Sequence, residues 1–358
     1  IAEDPATVQS KFGQAGSLGP WSGSLKNSGE TITLSDSNGN EIDRVDYKLG
    51  FPWPTVGDSI SNVSPSIQLI NPGFDNEVGG TWRSAAPTPD LQNSTFASNA
   101  PPSIRQVDYA PIGRVMETDK TILPGEEVRI TAKVTDPDGV ESANLDYQLV
   151  NPGDYIDIDD PRYNSGWTSL TLNDNGTGGD EFSGDDIYSA TIPAALNTHR
   201  RMIRFRIEAT DTAANNHQVP YPDDPVPNFA YFVYGTMPTW IASDGPGVSP
   251  SVTYDFSTME PVAVYQLLTT RSDHEDSQHI PSSTSGTYGG SDYLWDGALV
   301  YEGKVYDHIR YRARGGVWRY AMGKNMWKFD FNRGHRFAAR DDQGKKYKAE
   351  WNKLNFSA

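Results

Sequence analysis

The sequence predicts a mainly β protein in which tandem β-sandwiches are followed by an incomplete α+β lobe. Short runs of alternating apolar and polar residues recur between clusters of Gly, Asn, Asp and Pro, which is the pattern of strands and turns. The 33 glycines, 25 prolines and 11% aromatic residues suit several β-rich domains with many turns. Because 358 residues exceed the usual size of one compact core, we expect two or three domains.

The charge is divided between an acidic body and a basic carboxyl-terminal end. Residues 301–358 contain 14 Lys and Arg against 6 Asp and Glu, a net charge of +8, whereas the whole chain carries −17. The basic end is expected to bind an anionic ligand such as a nucleotide, or to dock on the acidic part of the chain. The strong acidity of the other residues argues against nucleic-acid binding.

The sequence contains no cysteine, so it has neither a disulfide framework nor a Cys-based metal site. No apolar run approaches the ~20 residues of a membrane-spanning helix, and no signal peptide is visible. The abrupt start at Ile1 and the end at Ala358 both have the composition of a domain interior. We therefore expect the chain to be a fragment of a longer protein.

Residues 1–94 predict short strands joined by turns. An alternating run at 31–34 is followed by a turn signal at 36–40 and a returning strand at 41–47. The apolar residues of the returning strand are core candidates: Ile42, Val45 and Tyr47.

This succession resembles the lamin-tail family, whose fold is an immunoglobulin-like β-sandwich. The matching residues follow the order of the family pattern: Gly29, Glu30, Leu34, Gly39, Asp43, Tyr47, Trp53, Pro54, Leu69, Asp75, Asn76 and Trp82. The first strands of the family have no counterpart here. The resemblance implies a binding or scaffolding module, and residues 95–103 have the small, polar and Pro-rich composition of a linker.

Residues 104–236 predict a second β-sandwich. Clean alternation at 127–134 is closed by a turn signal at 136–139, and further strands are predicted at 143–149 and 203–209. The order of these segments is similar to bacterial immunoglobulin-like or fibronectin-like modules. That similarity indicates a fold and leaves the function open.

One loop of the second sandwich has the composition of a calcium site. Asp174, Asp180, Asp185 and Asp186 lie among asparagines and glycines over residues 173–188. Ca²⁺ requires six to eight oxygens on a tightly turning backbone, and the stretch is similar to loops of extracellular modules, some of which bind it. The alternative is a solvated acidic loop whose side chains cap their own backbone. Residues 154–162 form a second acidic cluster.

Residues 237–358 contain the most informative pattern, two strand-like runs joined through Gly315 and Gly316. The first run alternates apolar residues with arginines at 310, 312 and 314, and the second places Lys328 between aromatic residues. Each strand is predicted to carry aromatic groups on one face and cations on the other. Such a face beside a glycine pair suits phosphate, although a half-solvated sheet face produces the same alternation.

The order of residues in this region resembles the amino-terminal lobe of the spore-coat-protein-H (CotH) kinase family. The matching segments are Tyr306-Asp307, Arg310-Tyr311-Arg312, Arg314-Gly315-Gly316, Lys324 and Trp327-Lys328-Phe329. The sequence departs from the family at Gly323, where Pro is usual, and at Asn325-Met326, where Lys-Ser is usual. The resemblance implies a truncated α+β kinase-like lobe over 237–358.

The resemblance also implies binding of ATP with Mg²⁺. Lys324 matches the lysine that pairs with phosphate, Lys328 is the second candidate, and Arg312 and Arg314 are candidates for bidentate contacts. Kinase-like enzymes take their catalytic carboxylates from a second lobe, which has no counterpart in this sequence. We therefore expect no catalytic residue here, and phosphoryl transfer to a protein substrate only in a longer form of the protein.

Other functions remain open. A non-enzymatic adhesion or scaffold protein of the bacterial cell surface fits the two sandwiches, which would then bind a surface glycan or a protein. Carbohydrate binding could use the 9 Trp and 18 Tyr, although strand positions favour core packing. A weaker zinc site is suggested by Asp273, His274, Glu275 and Asp276 together with His279. No Gly-x-Ser-x-Gly elbow indicates a hydrolase. Both family resemblances imply an extracellular or cell-envelope location.

Overall fold

The computed structural model describes residues 1–26, 28–56, 65–116, 120–242, 252–259, 263–278, 294–314 and 326–357. Strands make up 41% and helices 10% of the protein, and the sheets are mainly antiparallel. This content confirms the mainly β prediction. In the described part of the chain, no helix has the length and apolar character needed to cross a membrane.

The strands within these residues are β1 Gly29–Ser35, β2 Glu41–Lys48, β3 Ser66–Leu69, β4 Trp82–Ala85, β5 Ser103–Pro111, β6 Val128–Thr135, β7 Val140–Val150, β8 Thr168–Thr171, β9 Ile187–Ile192, β10 Met202–Asp211, β11 Asn216–Val219, β12 Phe229–Phe232, β13 Trp240–Ala242, β14 Val252–Tyr254, β15 Tyr265–Leu268, β16 Trp295–Tyr301, β17 Lys304–Arg314, β18 Met326–Asp330 and β19 Lys353–Phe356. The helices are α1 Pro5–Phe12, α2 Pro161–Ser165, α3 Phe256–Met259 and α4 Arg271–Gln278, with single 3₁₀ turns at Gly79–Thr81 and Ala194–Leu196.

The chain divides into two compact units. The first comprises Ile1–Gln106, Ala132–Ala143 and Ile207–Pro227, and the second comprises Val107–Thr131, Asn144–Arg206 and Asn228–Ala358. The second unit therefore takes residues both from the predicted second sandwich and from the predicted kinase-like lobe.

The first unit contains the predicted hairpin, in which β1 pairs antiparallel with β2. Asp36 forms the turn by accepting hydrogen bonds from the backbone N–H groups of Asn38 and Asn40, at 2.8 and 2.9 Å. The core candidate Tyr47 is buried, whereas Ile42 is 64% exposed, so its assignment to the core was wrong. The reason is a β-bulge: Asp43 lies opposite Leu34 and Glu41 opposite Ser35, so Ile42 is an extra residue without a partner and the alternation of faces is interrupted there.

The first unit begins with a helix that the sequence analysis missed. Asp4 caps α1 by accepting hydrogen bonds from the N–H groups of Ala6 and Thr7, and Pro5 occupies the first turn, where its missing N–H has no consequence. Gly13 ends the helix with a left-handed φ of 75°.

In the second unit, one sheet continues through the strands in the order β15-β16-β17-β12-β10. Strand β18 extends it from β17, and β19 pairs with β18. Strand β12 joins the two predicted modules because it pairs with β10 and, at Tyr231 opposite Lys304, with β17.

A β-bulge interrupts the pairing of β16 with β17. Tyr306 lies opposite Leu299 and Ile309 lies opposite Gly297, so Asp307 and His308 share a single opposing position. A bulge of this kind shifts the alternation of side chains by one residue. Tyr306 and Ile309 consequently lie in the same apolar cluster, although one occupies an even and the other an odd position in the sequence.

That apolar cluster is the core of the sheet around β17. Its buried members are Leu299, Tyr301, Tyr306, Ile309, Tyr311, Phe329, Phe331, Phe337 and Ala339.

Candidate functional site

The predicted cations of β17 and β18 lie on one face of the sheet. The strand register places Arg312 opposite Lys328 and Arg314 opposite Met326. Because alternate residues of a strand share a face, Arg310, Arg312 and Arg314 lie along one side of β17 while Tyr311 and its neighbours are buried on the other. The structure therefore brings together three of the four predicted phosphate ligands, Arg312, Arg314 and Lys328. Lys324 lies outside the described residues.

Lys328 is partly neutralised by its neighbour on the same strand face. Its Nζ lies 3.2 Å from Oδ2 of Asp330, and both side chains are about one-fifth exposed (20% and 19%). Arg314 is exposed, so its guanidinium is accessible to an anionic ligand. This cation face can bind a phosphate by charge and by paired N–H donors.

A cleft of about 720 Å³ opens near the opposite face of the same hairpin. Trp327, Phe329 and Phe356 line it together with Leu267 and Leu299. Trp327 and Phe329 alternate with Lys328, so the cleft and the cation face do not share a side of β18.

The predicted calcium loop also brings carboxylates together. One carboxylate oxygen from each of Asp174, Asp180 and Asp185 lies within 4.8 Å of the others. Asp180 is 8% exposed, and its Oδ2 accepts a hydrogen bond of 2.6 Å from the N–H of Gly176. Among the residues that the structure describes, this is the group of three or more acidic or imidazole side chains whose geometry could hold a metal ion.

The fourth predicted ligand, Asp186, has a different position in the loop. Its carboxylate lies outside the cluster of three, while its N–H donates to Oδ2 of Asp174 at 3.1 Å. Oδ1 of Asp174 accepts from the N–H groups of Gly184 and Asp185, at 2.7 and 3.2 Å. Burial raises the pKa of the nearby Tyr188, and the charges of Asp174 and Asp186 raise it further.

The second acidic cluster is balanced by an arginine. Arg162 contacts Asp154 at 2.9 Å and Asp160 at 2.7 Å. Asp296 lies with Asp157 in a neighbouring pocket, where burial, and then the charge of Asp157, raises its pKa to about 6.

The described residues of the predicted zinc site lie on α4. Asp273 and His274 belong to this helix, and His279 lies outside the described residues.

The sequence analysis missed a buried ion pair in the second unit. Nε of Arg204 donates to Oδ2 of Asp307 at 2.7 Å, and Nη2 donates to Oδ1 at 3.0 Å. The two side chains are 0% and 2% exposed. Arg204 comes from β10 and Asp307 from the bulge of β17, so the pair connects residues that are 103 positions apart.

Three further side chains complete the hydrogen bonds of this pair. Tyr155 donates to Oδ1 of Asp307 at 2.7 Å, and Asn228 donates to Oδ2 at 3.0 Å. Nη1 of Arg204 donates to Oε1 of Gln148 at 3.0 Å.

His308 lies at the edge of the same network. Its Nε2 is 2.9 Å from Oδ1 of Asn228, which assigns the ring proton to Nε2 because an amide oxygen can only accept. Burial lowers the pKa of His308 to about 4, although the charge of Asp307 acts in the opposite direction. Burial alone would raise the pKa of Asp307, but Arg204 holds it well below its usual range.

Two signals in the sequence are related to this network. Arg204 alternates between Ile203 and Phe205 as an outward residue would, yet all three are buried. Asp307-His308 places two polar residues in succession between Tyr306 and Ile309, and such a pair inside a strand is a signal for a bulge.

No protein-family model matches the chain, and no curated protein matches it. The lamin-tail and CotH resemblances therefore rest on the residues quoted above.

Proposed function

We propose that this chain carries the phosphate-binding strands of a CotH-type kinase-like lobe in a bacterial extracytoplasmic protein. The observation that supports it is the register of β17 and β18, which places Lys328 beside Arg312 with Arg314 on the same face. Cations on one face of two paired strands can contact successive phosphate groups, and guanidinium groups bind phosphate oxygens in pairs. In this proposal the sandwich modules bind surface partners or act as spacers.

The cations supply binding and charge neutralisation, while the carboxylates for Mg²⁺ and for the acceptor hydroxyl come from a second lobe. Lys324 is the further lysine that this proposal assigns to phosphate. Bound Mg²⁺ would neutralise charge on the phosphate oxygens. We expect the chain as it stands to bind nucleotide without transferring its phosphate to protein.

A calorimetric titration with ATP and Mg²⁺ tests the proposal. We expect Arg312→Gln, Lys328→Gln and Lys324→Ala each to weaken ATP binding by about tenfold or more, because a hydrogen bond to a charged group contributes roughly 1.5–3 kcal/mol. Lys348→Gln is the matched control, since Lys348 is an exposed lysine of the same basic end. Equal ATP affinity in all four variants would reject the phosphate face.

The alternative proposal is a non-enzymatic surface protein that binds calcium through its second sandwich. The grouping of Asp174, Asp180 and Asp185 within 4.8 Å favours it, because Ca²⁺ takes carboxylate oxygens. We expect Ca²⁺ to raise the melting temperature of the parent chain and not of Asp174→Asn. Asp186→Asn should keep the response, since its carboxylate lies outside the group.

A glycan array would test the sandwich modules for sugar binding. Array binding without ATP affinity favours the surface protein, and ATP affinity that depends on Lys328 favours the kinase-like lobe.

A further inference from the structure

The second sandwich does more than act as a spacer, because its residues contact β17, the strand that carries the cations. Asn228 immediately precedes β12, which pairs with β10 on one side and with β17 on the other. Arg204 of β10 and Asn228, just before β12, therefore both reach Asp307 from the sandwich part, and both are buried. The contacts converge on the bulge, five residues before Arg312, the first cation of the proposed phosphate face.

The two hydrogen bonds between Arg204 and Asp307 fix the relative orientation of their side chains. Two parallel N–H···O bonds join the guanidinium of Arg204 to both oxygens of Asp307, at 2.7 and 3.0 Å. Such a fork restricts rotation of the carboxylate as well as its distance. Tyr155 and Asn228 hold the same two oxygens from other directions, so the bulge is fixed in position.

The composition of the network resembles an acid–base site, but its burial argues for a structural role. Arg204, Tyr155 and Asp307 are 0%, 2% and 3% exposed. A substrate could not reach the carboxylate without displacing the strands around it. Asp307 is ionised and saturated with donors, which suits an anchor rather than a proton donor.

We infer that Arg204 and Asp307 are positioning residues: they fix the bulge of β17 against the sandwich and thereby set the orientation of the cation-bearing half of that strand. The relevance of this positioning role to phosphate binding rests on the proposed function, whereas the anchoring of the bulge does not. The sandwich then acts as a rigid part of the lobe.

The absence of cysteine from the sequence allows a direct test by paired nitroxide labels. Cysteines introduced at two exposed positions, Thr168 of β8 and Arg310 of β17, would report the distance between the sandwich and the cation strand by double electron–electron resonance. We expect a single narrow distance distribution in the otherwise unchanged chain. Asp307→Asn should broaden or split it, and Tyr155→Phe should broaden it less.

Controls separate positioning from general loss of stability. Glu126→Gln removes the half-buried pair of Arg114 and Glu126 in the same unit and should leave the distribution narrow. If Asp307→Asn does not fold, the distance distribution of Tyr155→Phe tests the inference in its place. The inference would be overturned if folded Asp307→Asn gave the same distance distribution as the parent chain. If that variant does not fold, the same result for folded Tyr155→Phe would overturn it.

ATP titration of the same variants keeps the two proposals distinct. If the parent chain binds no ATP but its labels show the expected broadening, the positioning role stands and the phosphate face fails. If the parent binds ATP and Asp307→Asn binds it equally with an unchanged distribution, the positioning role fails while the phosphate face stands.

Discussion

Removing one partner of the Arg204–Asp307 pair should destabilise the protein far more than removing both. Asp307→Leu leaves the guanidinium of Arg204 charged at a position that is 0% exposed. Breaking a buried pair in this way costs about 3–5 kcal/mol. A typical domain has a total stability of roughly 5–15 kcal/mol, so the single variant should lose a large share of it.

The double variant Arg204→Met/Asp307→Leu should recover most of that loss. It removes both charges and places apolar groups beside Phe205 and the other buried residues of β10, which avoids a buried charge without a partner. Replacement of a whole buried ion pair by apolar residues is often neutral or stabilising by about 1–4 kcal/mol. Tyr155 and Asn228 lose their acceptor in the double variant, so we expect recovery to be incomplete.

Urea unfolding followed by tryptophan fluorescence measures these differences. The comparison uses the parent, both single variants and the double variant, with Glu77→Gln as a control. That control removes an exposed pair in which Arg44 and Glu77 are 48% and 50% exposed, and it should change the stability by less than about 1 kcal/mol. Single and double variants that lose equal stability would refute the reasoning, because the effect would then arise from packing and not from an uncompensated charge.

Two further predictions concern pH and close packing. The pKa of His308 falls from 6.5 to about 4 on folding, so the unfolded state binds more protons between these values; stability should be fully present above pH 6.5 and should fall by up to about 3 kcal/mol as the pH drops towards 4. His308→Gln should remove that part of the slope in urea midpoints measured from pH 7 to 4, and an unchanged slope would contradict the assignment. Gly79→Ala should lower the melting temperature, because a Cβ at this position would lie 2.8 Å from a ring carbon of Trp53 and 2.9 Å from its backbone nitrogen. Gly73→Ala is the control, because neither Gly73 nor Gly79 has a positive φ and an added Cβ at Gly73 would meet only Oδ1 of Asn71, at 3.3 Å; equal losses in both variants would show that the contact with Trp53 is unimportant.

Local patterns were sufficient for the strands and turns, because their signals lie within a few residues. The turn at Asp36 and the alternation of β17 follow directly from the positions of Asn, Gly and apolar residues. Helix α1 also has a local signal, an Asp cap followed by Pro5, and it was missed because the segment is short and weakly amphipathic. Ile42 was misplaced because it lies at a bulge, where the alternation of faces is interrupted.

Some features of the candidate site likewise followed from local spacing, and others did not. Spacing alone indicated that Arg312, Arg314 and Lys328 share a face, and that Asp174 and Asp180 lie in one tight loop. It could not indicate that the carboxylate of Asp186 lies outside the group of three. The contact between Arg204 and Asp307 joins distant parts of the chain, and no local periodicity carries information about which strands become neighbours.

The bulge at Asp307 and His308 changes which residues of β17 face the core, from even-numbered to odd-numbered positions. Before it, even-numbered residues such as Tyr306 enter the aromatic core; after it, odd-numbered residues such as Tyr311 do so. A saturation mutagenesis scan of this strand should therefore show sensitivity that changes parity in the middle of the segment. Deleting one of the two bulge residues would make the strand regular and keep its faces, because a single residue would then oppose Ala298. Straightening the strand with both residues retained would instead bury the arginines and expose the tyrosine.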